Sequence, residues 1–181
     1  MQPDFQRDVM RRLLRLLDAQ AGPVREDFER DAPGVSDNPH WSGLELAACE
    51  SIAKEIEQLR EAHDEFLARV GRTTSGICGL SLADAARLVD EYEQGFAPAH
   101  AEWAMSKMLR YRFAADDLKA FYLESVSRGR ADVSSRQLHS WLWTQTRLGR
   151  TLKAFAAASA QCGDKRREIV GGRFLVPRDW R

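Results

Sequence analysis

The sequence predicts an all-α protein, a multi-helix bundle closed by a small C-terminal β-hairpin, and three observations carry that reading. Leu44, Ala48, Ile52, Ile56, Leu59, His63, Phe66 and Val70 recur every three or four residues, the spacing of one long bundle helix. A second periodic run extends from Ser134 towards Gln161. After it the pattern changes: Ile169-Val170, a Gly171-Gly172 pair and Phe174-Leu175-Val176 before Pro177 read as two short strands about a two-residue turn. A lone hairpin is marginal, so it must lean on the helices.

Phe5, Val9, Leu13, Leu16 and Leu17 alternate with Asp, Arg and Gln, which predicts an amphipathic helix at the start, residues 1–18 forming the first segment. From 19 to 43 the periodicity stops, and Gly22, Pro23, Pro33, Gly34 and Pro39 mark an acidic linker or long surface loop. Residues 44–113 form the helical bundle. There Gly71, Gly76 and Gly79 loosen the chain, Ser81 followed by Asp84 starts a third helix, and Gly95 ends it. Pro98, Trp103, Met105, Met108, Leu109 and Phe113 carry a further helix to Ala114 or Ala115, where it either continues or breaks before Leu118, Phe121, Tyr122 and Val126. Residues 114–181 form the last segment. Arg128-Gly129-Arg130 is a break, Ser134 opens the long helix with Gln137 three residues on, and Gly163 is its stop.

Charge divides unevenly along this plan. Residues 1–100 hold 11 Lys and Arg against 19 Asp and Glu, and residues 101–181 hold 16 against 8, so the halves carry −8 and +8 within a neutral chain. Such asymmetry suits a polyanion at one end and a basic partner at the other. Arginine outnumbers lysine 22 to 5; GC-rich coding accounts for that, although forked guanidinium groups also suit phosphate.

Wound as one helix at 100° per residue, the segment after Ser134 gathers Leu138, Trp141, Leu148, Leu152, Phe155 and Ala156 on one side and His139, Trp143, Arg147 and Arg150 on the other. A cationic stripe broken by an aromatic is what a backbone-tracking nucleic-acid surface needs. Lys165, Arg166, Arg167 and Arg173 extend it. The expected contact set for DNA or RNA is therefore Arg136, Trp143, Arg147, Arg150, Lys165, Arg166, Arg167 and Arg173. Helix, break, basic helix and basic hairpin are similar in outline to a winged helix-turn-helix over roughly the last 65 residues, a resemblance of order alone. It implies a second helix in the major groove and a hairpin on the backbone.

The alternative is a helical interaction module, an adaptor, inhibitor, immunity protein or small subunit of a nucleoprotein complex. Its acidic residues Glu26, Asp27, Glu29, Asp31, Asp37, Glu45 and Glu50 would meet a basic protein, with Trp41 and Trp143 as anchors. Under either reading the amino-terminal helices are available for a protein partner or a homodimer.

Enzyme chemistry has little footing. His40, His63, His100 and His139 lie apart, without the paired helical spacing of metal ligands, and His63 falls on an apolar stripe where a hydrogen-bonded core residue is expected. Cys78 sits in a glycine loop but has no histidine near it in sequence. Phosphate-binding loops and nucleophile elbows are missing from the sequence. No cofactor and no metal are expected, and a non-catalytic protein is. Three cysteines, Cys49, Cys78 and Cys162, an odd number without Cys-x-x-Cys spacing, suit a reducing cytoplasm. The charged start and the lack of any run of about 20 apolar residues predict no membrane association.

Overall fold

The computed structural model describes residues 3–22, 24–28, 36–91 and 107–181. They divide into two compact units, Met1–Ser36 and Asp37–Arg181. The first holds α1 (Pro3–Arg15), prolonged by a 3-10 turn over Leu16–Asp18. Residues 24–28 fold back on one flank of α1. Phe28 meets Phe5 edge-on with ring centroids 5.5 Å apart, lies under the Arg12 guanidinium, and Glu26 pairs with Arg12.

The second unit is a helical bundle. It contains α2 (Ile52–Val70), α3 (Leu82–Asp90), α4 (Lys107–Ser127), α5 (Ser135–Gln145), α6 (Arg147–Ser159) and the short α7 (Lys165–Ile169). Among the described residues there is no strand. α4 is the hub, packed against α2, α3 and α5. Between residues 108 and 127 only Leu109 is exposed, and Tyr111, Ala114, Ala115, Leu118 and Tyr122 are fully buried. A helix covered on nearly every side has little need of a polar face. That is why α4 runs unbroken through Ala114 and Ala115, where the periodicity falters, and stops only at Arg128 and Gly129, both with positive φ.

Serine caps work as the sequence predicts. Ser81 accepts the Asp84 N–H at 3.1 Å, and Ser134 forms a reciprocal capping box with Gln137. Upstream of α2, residues 44–48 are not helical. They belong to a strap over residues 37–50 tied down by side chains: the Gln137 amide bonds both Asn38 backbone groups at 2.8 Å, Trp141 donates to the Leu44 carbonyl at 2.8 Å, and Gln58 brackets Ala47. Leu44 and Leu46 pack on the core from that strap. Gly95, Pro98, Trp103, Met105, Pro23, Pro33 and Gly34, which the sequence plan uses as helix or linker signals, lie outside the described residues.

Three buried carboxylates fasten loops and helix ends to the core. Glu55 of α2 accepts the Tyr122 hydroxyl at 2.9 Å and the Arg147 and Leu148 amides at 2.7 and 3.1 Å. Asp117 takes the Ile77 and Cys78 amides at 2.9 and 2.8 Å. Glu124 takes the Thr73 hydroxyl and the Thr74 amide and hydroxyl, each at 2.7 Å, and faces His63 Nε2 at 3.0 Å. His63 is thus a hydrogen-bonded core residue, as its stripe position suggests.

Burial alone would raise the Glu124 carboxyl, but the bonds from Thr73, Thr74 and His63 outweigh it and hold the group below its ordinary 4.5. A depressed folded-state pKa contributes stability that is present above the unfolded value and is lost as pH falls through the folded one. Wild-type protein should therefore lose stability as pH drops below about 4.5. In urea titrations at pH 7 and pH 4, Glu124→Gln should be less stable than wild type at pH 7, and its deficit should shrink at pH 4.

The expected hairpin is absent. Val170–Phe174 form a five-residue π-helical turn continuing α7, followed by a 3-10 turn over Arg178–Trp180. Gly171 and Gly172 are the reason. Each lies so close to the end of α6 that a methyl group would stand 2.7 Å from Ser159 Oγ or 3.1 Å from Ala160 Cα. The glycines serve helix contact instead of a reverse turn, and Val170, Leu175 and Val176 drop into the core. With the hairpin goes the wing of the winged-helix outline.

Candidate nucleic-acid interface

The long basic helix is in fact two. Thr146, extended at φ −96° and ψ 152°, ends α5 and caps α6: its hydroxyl accepts the Gly149 N–H at 2.9 Å and donates to the Leu142 carbonyl at 2.7 Å. The break removes the common register on which one continuous stripe depends. Trp143 is the clearest correction, since it is 1 % exposed within the core cluster and cannot stack on a base. It is no surface anchor for a protein either. Trp41 is half-buried against the same core.

The arginines part company as well. Arg136 is exposed but ion-paired with Asp37, whose other oxygen accepts the Ser134 hydroxyl. Arg147 is half-buried with Nε 3.6 Å from Asp90, and the second Asp90 oxygen accepts the Ile52 N–H at 2.8 Å. Arg167 lies 4.9 Å over the Phe155 ring and bonds Ser159. Arg150, Lys165, Arg166 and Arg173 are exposed. The structure therefore splits the eight expected contacts into four engaged internally and four facing solvent.

On the acidic side, Glu26 and Asp37 are spent on Arg12 and Arg136. Asp27, Glu45 and Glu50 are exposed, and Glu29 and Asp31 lie outside the described residues.

What the sequence places apart, the fold assembles at the end of the chain. A recess of about 570 Å³ is lined by Lys119 of α4 together with Arg173, Phe174, Pro177, Arg178 and Arg181. Lys119 Nζ sits 2.7 Å from Asp116 and reaches the Leu175 carbonyl at 3.3 Å. Arg181 donates to the Val176 carbonyl at 2.9 Å and to the Arg173 carbonyl, which braces the recess. Arg112 stands 5.5 Å over the Phe174 ring and 3.6 Å from Asp116. Five cations thus gather around an aromatic ring that is 57 % exposed, with Asp116 shared between Arg112 and Lys119. The exposed aromatic among arginines exists, but it is Phe174. Arg178 and Arg181 follow the basic run in sequence, whereas Lys119 and Arg112 reach the site only through the fold.

A larger, more open hollow of about 810 Å³ lies beside Ala48, Cys49, Glu50, Lys54, Glu57 and Gln58. Its charges are mixed, and burial, followed by the charge of Glu55, pushes the Cys49 thiol up. Cys78 is less reactive still. Burial and then the hydrogen bond with Asp117 push it up to about 12, far from a thiolate nucleophile. Among the described residues no group of three or more His, Cys, Asp or Glu is placed to hold a metal ion, and no helix is long and apolar enough to cross a membrane.

At the basic recess the available chemistry is recognition of anions: guanidinium forks for phosphate oxygens, with a ring on which a flat group can stack. No family model, curated protein or solved structure matches this chain.

Proposed function

We propose that the protein binds nucleic acid, DNA or RNA, without catalysis, through this basic C-terminal end. Arg173 and Arg178 reach for phosphates and Phe174 offers a stacking face, while Lys165 and Arg166 on α7 add charge from the same stretch of chain. One observation carries the reading: an exposed phenyl ring set among Arg112, Lys119, Arg173, Arg178 and Arg181, of which only Arg112 and Lys119 pair with a carboxylate, the shared Asp116, among the described contacts. Backbone-tracking surfaces combine those two ingredients. Loss of the hairpin and burial of Trp143 leave no groove-reading helix with a wing, so a single strand laid across the recess fits better than a duplex.

The test is fluorescence anisotropy with a labelled single strand. If Arg173, Arg178, Lys165 and Arg166 neutralise about four phosphates, affinity should fall about 50-fold between 50 and 200 mM salt. Arg173→Ala with Arg178→Ala should reduce that dependence to about 7-fold. Phe174→Ala should weaken binding by about 1–3 kcal/mol with no change in melting temperature, because the ring is largely in solvent. Affinity indifferent to salt and to the double substitution rejects the proposal.

A further inference from the structure

α1 and the 3-10 turn after it carry an apolar edge that the described residues of their own unit do not cover. Phe5, Val9 and Leu16 are half-buried on the flank where residues 24–28 fold back, but Met10, Leu13, Leu14 and Leu17 on the adjoining face are exposed, Leu17 at 79 %. Their spacing, 10, 13, 14 and 17, is the three-and-four step of a helix-pairing seam.

Charge at the edge of this seam selects the occupant. Along α1 at 100° per residue, Arg7 and Arg11, which also pair with Asp4 and Asp8 within the helix, lie on the flank beside Leu14 and Met10, and the 3-10 turn that prolongs α1 carries Asp18 round to the same flank. When two such helices run antiparallel, equivalent flanks meet. A two-fold axis midway between Leu13 and Leu14 then sets Met10 opposite Leu17 and carries Asp18 of one helix to the level between Arg7 and Arg11 of the other. The edge is complementary to itself in that one orientation. A parallel pair would bring this flank to the side occupied by Phe28. A lipid surface has no use for Asp18, and α1 with its 3-10 turn holds Asp4, Asp8 and Asp18 against Arg7, Arg11, Arg12 and Arg15, only one positive charge in excess. We propose that α1 pairs antiparallel with α1 of a second copy of this chain, making the protein a dimer whose two copies join through Met10, Leu13, Leu14 and Leu17.

Four side chains from each helix make a small interface, so the dimer should be concentration-dependent. Sedimentation of the full chain from about 1 to about 100 µM should show the mass rising from 20.5 kDa towards twice that value. Leu17→Glu should keep it monomeric. Asp18→Arg, a cation at a helix C-terminus and so harmless to α1 itself, should lower association at least tenfold by facing Arg7 and Arg11. The doubly substituted Arg7→Glu, Arg11→Glu chain should also associate weakly, and mixing it with the Asp18→Arg chain should restore a heterodimer, because both contact points regain opposite charges. A wild-type chain that stays monomeric over this range overturns the proposal, as does co-sedimentation of monomer with anionic vesicles. Dimerisation unaffected by Asp18→Arg, or a mixture that does not recover, overturns the antiparallel register.

Discussion

Replacing Glu55 by alanine should cost about 3–5 kcal/mol, the usual penalty for deleting one side of a buried, fully used polar contact. The carboxylate is 2 % exposed and accepts three bonds at once. Two come from the first amides of α6, which no intrahelical carbonyl can satisfy. Its negative charge also lies at the positive end of that helix. The third comes from Tyr122, whose hydroxyl is pushed well above its ordinary range by burial first and by the Glu55 charge second. Truncation strands all three donors inside the core and opens a cavity between α2, α4 and α6. For a chain of this size that corresponds to a melting temperature lower by roughly 6–20 °C. Glu55→Gln keeps one acceptor oxygen but turns an N–H₂ towards other donors, so it should fall between the two. A circular-dichroism melt decides the matter, and a shift below about 3 °C for the alanine variant would mean that α6 is capped by something else.

Glu55 also shows where sequence reasoning reaches its limit. The α2 stripe was legible because Ile52, Ile56, Leu59 and His63 repeat at helical spacing and do face the core. Glu55 sits on the same helix and reads as one more solvated acid. Its partners lie 67, 92 and 93 residues away, so only the fold reveals its role. Local signals held where the cause was local: the caps at Ser81 and Ser134 and the break at Arg128-Gly129 depend on neighbours within three residues. The hairpin failed because two glycines between the apolar runs Ile169-Val170 and Phe174-Leu175-Val176 signal a turn equally well whether they turn or pack, and here Ser159 and Ala160 at the end of α6 decide. At the candidate site, Arg173 and the basic run before it were visible as composition. Lys119 and Arg112 were not, because α4 supplies them from some 55 residues upstream, and Phe174 was hidden by its assignment to a strand.

The α5–α6 corner, whose break removed the expected stripe, yields the other large effect. In an ordinary helix interior, glycine to alanine stabilises by roughly 0.5–1 kcal/mol. Gly149→Ala should do the opposite, costing about 3 kcal/mol or more. An added methyl would stand 2.1 Å from the Leu142 carbonyl oxygen and 2.9 Å from Trp143 Cα, both backbone atoms that cannot rotate away. Relief requires α6 to move off the last turn of α5. That movement strains the Thr146 bonds to Leu142 and Gly149, pulls the α6 amides from Glu55, and loosens the packing around Trp143. The melting temperature should therefore fall by roughly 6–12 °C, accompanied by weaker near-ultraviolet dichroism from the core indoles. Were residues 134–161 one straight helix with Trp143 facing solvent, Gly149 would be an unremarkable interior glycine and the same substitution would raise the melting temperature. The sign of the shift thus discriminates the bent corner from the straight helix.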